Sequence, residues 1–196
     1  MPATRLKIFI SSVQKEFAQQ RRDLKAFLLG DAVLRRFVSE VFLFEELPAR
    51  DHRADAIYLQ EVEHCDIYLG IFGYQYGFID ENGISPTEHE FNHAGRKGKV
   101  RLIYVWGSED KRRDPKMQQL IAKASNELVR RRIEVGSALT AEVYASLVDY
   151  LDLATWTILL KRASWRRLVP PAKGRIISSA VKGSRRAQRA HSSLNT

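Results

Sequence analysis

Two kinds of apolar pattern alternate along the chain: short continuous apolar runs, and longer stretches in which apolar residues recur every three or four positions. The first kind predicts buried strands and the second amphipathic helices. Arg5 to Ile10 reads as a first strand, ending in Ser11-Ser12. Val13, Phe17, Leu24, Phe27 and Leu28 then form one stripe of a helix over Val13 to Leu29. Glu40 to Phe44 reads as a second strand, stopped by Glu45-Glu46-Leu47-Pro48. Ala54, Ile57, Tyr58, Val62 and Cys65 share one face of a second helix. The run IYLGIFG, residues 67–73, is apolar throughout and closed by glycine, as a strand buried on both faces should be. After a loop from Tyr74 to Gly83, ISPTEHEFNHAG opens a short helix, and VRLIYVWG (100–107) is a fourth strand. Asp114-Pro115 is a helix start, a cap followed by proline, and Met117, Leu120, Ile121, Ala124 and Leu128 line that helix. Val129 to Val135 is a candidate fifth strand, interrupted by three arginines. Leu139, Val143, Leu147 and Leu151 mark a last amphipathic helix.

Strands separated by helices of this length imply right-handed crossovers and a parallel sheet with helices on both sides. The expected fold is therefore α/β, a flavodoxin-like three-layer sandwich with four or five parallel strands. Ligands of such sheets sit beyond the C-terminal strand ends, where the strand order reverses. In a flavodoxin-like order that crevice lies between the first and third strands, so Ser11, Ser12 and Gly73 are expected to line it.

Charge refines the domain picture. The net charge is +9, yet ten Lys or Arg and no acid lie from Leu153 onward. The first 152 residues hold 22 basic and 23 acidic groups, a net −1. The expected organisation is an α/β domain over 1–152 and a basic extension over 153–196, helical at first and disordered from about Trp165. The domain has no need of a polyanionic partner, and nucleic acid would be met only through the tail. Cys65 is the sole cysteine, which excludes an intrachain disulfide and points to a reducing, cytoplasmic setting. MPATRLKIFISSV is neither a signal peptide nor a membrane span, and no membrane partner is expected.

Four blocks, KIFISSVQKEF, VFLFEELPA, CDIYLGIFGYQYGF and SPTEHEFNHAGRKGK, together resemble the bacterial domain of unknown function 4062 family. The resemblance covers about residues 5–152. It implies kinship with the TIR and nucleoside 2-deoxyribosyltransferase superfamily, and a TIR-like fold. Members of the family often form the N-terminal part of regulators or defence-type proteins that carry a Schlafen-like or ATPase domain downstream. The resemblance stops at Asp152, so truncation or a frame shift is expected there.

The superfamily's chemistry, carried over by this resemblance, places a glutamate eight residues before a Gly-Lys pair. Glu90 stands eight before Gly98-Lys99, and Glu88 is the second candidate. A carboxylate suits cleavage of an N-glycosidic bond because the transition state carries positive charge on the sugar. The two glutamates lie about 200° apart around a helix, so they cannot both face one site. A structural role competes. Ser85-Pro86-Thr87-Glu88 and Thr87-Glu88-His89-Glu90 both fit a capping box, and Pro86 at the first helical position favours Ser85 as cap, with Glu88 reaching back to the cap amide and Glu90 left free.

The same helix spells HExxH over His89 to His93, the zinc-peptidase signature. Pro86 begins the helix too soon before His89, Gly95 and Gly98 follow too closely, and no third ligand stands at a fitting place; no metal and no cofactor are expected. Ser11 and Ser12 either donate to a phosphate or simply cap the helix that follows. Tyr74 and Tyr76 either stack on a nucleobase or belong to an ordinary aromatic loop. Cys65, on an apolar helix face, reads as core.

Two readings follow. In one, the chain is a TIR-like regulatory or defence-type module that binds a nucleotide or a protein partner, or self-associates, without turnover. In the other, it hydrolyses the N-glycosidic bond of NAD or a nucleoside through Glu90. Ser11, Ser12, Gly73, Tyr74, Tyr76 and Ser85 are the candidate ligand contacts in both.

Overall fold

The computed structural model describes residues 5–48, 51, 54–134, 136 and 138–168, with the side chains of 54–56 and 154–168 left aside. Of these, the residues to Asp152 belong to one compact unit and those from Leu153 to Leu168 to a second. Five strands, β1 (Leu6–Ser12), β2 (Val38–Phe42), β3 (Ile67–Phe72), β4 (Val100–Trp106) and β5 (Arg131–Ile133), alternate with five helices. The helices are α1 (Gln14–Gly30), α2 (Ala54–His64), α3 (Pro86–Arg96), α4 (Pro115–Glu127) and α5 (Leu139–Leu168). All neighbouring strands pair in parallel, in the order β2-β1-β3-β4-β5. This is the flavodoxin-like α/β architecture, with five strands.

The two-residue period of the strands divides the core into two layers. Ile8, Ile10, Leu69, Ile71 and Tyr104 face α1 and α5, packing on Phe17, Leu24 and Leu28 from one helix and Leu139, Val143 and Leu147 from the other. Phe9, Tyr68, Phe72, Ile103 and Val105 face the opposite side, against Val62 of α2, Phe91 and Ala94 of α3, and Met117 and Leu120 of α4. Every residue of β3 is buried, so its unbroken apolar run reflects burial on both faces. Each fully buried Leu, Ile or Phe contributes roughly 1.5–3 kcal/mol of transfer free energy, and this is what holds the helices to the sheet.

Several boundaries differ from the sequence expectation. β1 runs on through Ser11 and Ser12, which pair with Gly70 and Ile71, so these serines belong to the sheet rather than to a following turn. β2 begins at Val38 and ends at Phe42, because Val38 and Val41 are the residues that pair with Leu6 and Ile8. Phe44 instead opens a 3-10 turn, Phe44–Glu46. β5 shrinks to Arg131–Ile133, and Val129 is 96% exposed. The arginines of that edge strand are accommodated by ion pairs, Arg131 with Glu142 and Arg132 with Asp110. The disorder expected from Trp165 meets helical backbone as far as Leu168; residues 169–196 lie outside the described part. Among the described residues no helix is long and apolar enough to cross a membrane.

Cys65 is buried on the α2–β3 side, where its Sγ donates to the carbonyl of Val62 at 3.2 Å. Burial pushes its thiol up to about 11. The thiolate is the reactive species, so the native thiol should be inert at neutral pH. Alkylation followed by mass spectrometry should therefore track global unfolding in denaturant. Rapid labelling of the native protein would show that α2 opens locally.

Candidate functional site

The strand order reverses between β1 and β3. The chain leaves β1 into α1 on one face of the sheet and, after β3, reaches α3 on the other, so the layers part at the C-terminal strand ends. A cavity of about 850 Å³ opens there, and its walls include Ser12, Arg21, Tyr58, Tyr74, Tyr76 and Glu90. This is where the fold class places its ligands.

Glu90 reaches the cavity from α3. Thr87, Glu90, Phe91 and Ala94 are buried, an i, i+3, i+4, i+7 face of that helix, and Glu90 is the one acid on it. It is 7% exposed, and its Oε2 accepts a hydrogen bond from Ser11 Oγ at the end of β1. Burial raises its pKa to about 7; the Ser11 hydroxyl and the nearby Arg21 charge pull in the opposite direction without cancelling it. Tyr68, wholly buried beside it, donates to the Thr87 carbonyl at 3.4 Å. Its phenol is held protonated by burial first and by the Glu90 charge second.

A second ionisable group is buried on the α1 side. Arg21 occupies the position between Phe17 and Leu24 on the apolar stripe of α1 and is 2% exposed. It donates from Nε and Nη2 to the two carboxylate oxygens of Glu45 at 2.7 and 2.6 Å. Its Nη1 donates to Ser12 Oγ at 3.0 Å. Glu45 stands in the 3-10 turn after β2, which is how a turn expected only to end a strand becomes part of the site. The serines do not cap α1, whose N-cap is Val13 without a side-chain hydrogen bond. Ser11 turns to Glu90 and Ser12 to Arg21, on opposite faces of the strand as its period requires.

The capping box of α3 forms only in part. Ser85 Oγ accepts from the Glu88 amide at 3.3 Å, as expected. Glu88, however, does not return to the Ser85 amide. Tyr76 stands between them: its phenol accepts from Ser85 N at 3.2 Å and donates to Glu88 Oε2 at 2.6 Å. Glu88 thereby ties the loop after β3 to α3 and stays outside the cavity wall. The start of the same loop is fixed from α1, where the Glu16 carboxylate accepts from the amides of Tyr74 and Gln75 at 2.7 and 3.0 Å. A Cβ at Gly73 would lie 2.3 Å from Glu16 Oε1, so only glycine permits this approach. Buried Arg113 donates to the carbonyls of Gly73, Trp106 and Gly107, and stacks on Tyr74 at 4.7 Å.

The histidines of the HExxH sequence take separate partners. His89 Nε2 meets Asp80 at 2.8 Å, and His93 Nε2 meets Glu63 at 2.9 Å. Among the described residues no group of three or more His, Cys, Asp and Glu side chains is placed to hold a metal.

Of the residues named from sequence, Glu90, Ser12, Tyr74 and Tyr76 line the cavity. Ser11 supports Glu90, Gly73 contributes its backbone, and Ser85 is fully buried as a cap. Arg21, Glu45, Glu16 and Arg113 were missed. Arg21 carried a signal: an arginine on an apolar helical stripe must find a carboxylate, because an unpaired buried charge is too costly.

The family model described as "Domain of unknown function (DUF4062)" matches residues 7–150, and the chain belongs to that family. No curated protein matches it. Solved structures to which it is similar include a 2-desoxiribosyltransferase from Leishmania mexicana, at 13% identity and a TM-score of 0.38, covering 54% of this chain and 70% of that one. Another is the Clostridium botulinum CMP N-glycosidase BcmB, at 14% identity and a TM-score of 0.43, covering 74% of this chain and 98% of that one.

Two outcomes are expected from this geometry. Glu90's pKa of about 7 lies above its ordinary value of 4.5, so between those values the unfolded chain loses its proton first. The Glu90 contribution to stability is then full below pH 4.5, declines towards pH 7 and levels off above it, a change of about 3 kcal/mol. Thermal melts of Glu90→Gln should show a flatter dependence from pH 5 to 8 than the wild type, and parallel curves would disprove the assignment. Tyr76→Phe removes the hydroxyl that joins the Ser85 amide to Glu88 and should cost about 1–2 kcal/mol in urea unfolding.

Proposed function

We propose that this member of the domain of unknown function 4062 family binds a nucleoside or nucleotide in the crevice and cleaves its N-glycosidic bond with Glu90. The observation that carries the reading is the Glu90 carboxylate, buried in the wall of an aromatic-lined cavity and held by a hydroxyl rather than neutralised by a cation. A fully paired carboxylate would be electrostatically spent. Glu90 remains available to a positive charge that develops beside it, which an oxocarbenium-like sugar supplies.

The chemistry follows from that arrangement. Ionised Glu90 attacks C1′ as the bond from C1′ to the base nitrogen breaks. The base leaves with the electron pair of that bond and takes up a proton from water. Water then hydrolyses the glycosyl ester, returning the carboxylate and releasing the sugar. Ser11 keeps one oxygen of Glu90 fixed throughout, so the attack needs little reorganisation. Tyr58, Tyr74 and Tyr76 offer apolar ring surface with polar tips, suited to a flat base that also carries hydrogen-bonding edges. Three aromatic side chains and one carboxylate in the cavity wall suit a substrate that joins a flat base to a sugar.

Incubation with ribonucleosides, nucleoside monophosphates and NAD, with the freed base read by chromatography, tests the reading. Glu90→Gln should lower base release by about 10³-fold or more while the fold is retained. Activity of the wild type should rise as pH passes through about 7, because the nucleophile must be ionised and its pKa is about 7. Binding without any base release would leave a nucleotide-sensing module in its place. Full activity in Glu90→Gln would remove Glu90 from the chemistry.

A further inference from the structure

Ser12 has a feature that its neighbour Ser11 lacks. It is 6% exposed, lines the cavity, and accepts a hydrogen bond from Arg21 Nη1 at 3.0 Å. A guanidinium has donors only, so the Ser12 oxygen is the acceptor in that bond and its own proton must go elsewhere. Arg21 cannot turn aside to release it, because Nε and Nη2 are fixed on both oxygens of Glu45. Ser11 spends its proton on Glu90. Among the described residues no acceptor is bonded to the Ser12 proton, and the space beside it is the cavity.

We propose that Ser12 is a ligand-reading donor, oriented by Arg21, which gives its proton to an oxygen of the ligand's sugar–phosphate portion, a ribose hydroxyl or the 5′-phosphate. The inference rests on the nucleotide reading above and adds which part of the ligand is recognised and by what. Two physical arguments favour an electron-rich oxygen there. A hydroxyl that accepts from a buried guanidinium is polarised and becomes a stronger donor. Lys15, three residues along the chain from Ser12, is also among the residues lining the cavity and adds a positive charge at its edge. The aromatic rings Tyr74 and Tyr76 belong to the loop after β3, so the base and the sugar–phosphate are assigned to different walls. Arg21 acts through Ser12 and is a positioning residue.

Binding calorimetry in the Glu90→Gln background, which prevents consumption of ligand, tests the role. The probes are the four common ribonucleoside 5′-monophosphates and, for any that binds, its 2′-deoxy, 3′-deoxy and dephosphorylated analogues. Ser12→Ala should weaken binding of the parent nucleotide by about tenfold, the value of one hydrogen bond. Ser12→Thr, which keeps the hydroxyl, should bind like the parent protein. The weakening should vanish for one analogue, and the oxygen missing from that analogue is the one Ser12 reads. Because alanine leaves Arg21 without one acceptor, Ser12→Cys is a second variant; its weaker donor should give a smaller loss with the same dependence on analogue. An equal weakening for every analogue would reduce Ser12 to a structural support and overturn the proposal, as would no weakening at all. Base release abolished by Glu90→Gln together with unchanged binding by Ser12→Ala would refute this role alone. Failure of all four nucleotides to bind would overturn the Ser12 role, and the nucleotide reading would then fall only if ribonucleosides and NAD also release no base.

Discussion

A parallel sheet that opens at its C-terminal end must bring polar groups into a place where water is largely excluded. Everything in this site follows from how their desolvation is offset. Arg21 and Glu90 are both buried, one on each side of β1, and their charges are compensated unequally. Arg21 receives a bidentate carboxylate and a hydroxyl, the geometry in which a buried guanidinium is best satisfied. Glu90 receives one hydroxyl, and burial therefore carries its pKa to about 7. The well-paired group gives rigidity. The poorly paired one retains electrostatic free energy that a ligand can release, which is why perturbed carboxylates gather at functional sites.

The surroundings are built so that this imbalance does not collapse. Three segments that would otherwise wander are tied by groups outside the cavity's reactive corner. Glu16 holds the amides of Tyr74 and Gln75, Arg113 gathers three carbonyls from two loops, and Tyr76 joins Ser85 to Glu88. Each tie draws on backbone groups that would otherwise be left unpaired near the cavity, so capping and site construction are done by the same bonds. Glu88 shows the consequence. A residue that sequence reasoning offers as a second catalytic candidate is engaged in holding the loop that shapes the aromatic wall.

The apolar runs of β1, β3 and β4 were legible because the central parts of strands buried in a parallel sheet are filled mainly by apolar residues, and the fold class followed from their alternation with helices. Ser85 and Pro86 marked the start of α3 through local cap chemistry. The edge strands were read less well. β2 and β5 take their limits from which residues meet β1 and β4, a long-range property with little local trace. The same holds for the site. Ser11 and Glu90 are 79 positions apart, and Arg21 and Glu45 are joined only once β1, α1 and the end of β2 have converged. Ser11 and Ser12 were read as one unit because they are adjacent, whereas the pleat sends them to different partners.

The helix α3 shows why register outranks motif. His89, Glu90 and His93 supply the letters of a zinc-peptidase signature, and the chemistry of that signature needs the two imidazoles on one metal with the carboxylate beside it. Here the buried face is fixed by Phe91 and Ala94, which pack on β3 and β4, and at 100° per residue Glu90 shares that face. His89 and His93 are thereby turned to the helix flank, where Asp80 and Glu63 meet them. The two histidines stand one turn apart on that flank, yet each imidazole is held by its own carboxylate. The packing of Phe91 and Ala94 thus decides which face of α3 meets the crevice, and Glu90 is the acid on that face.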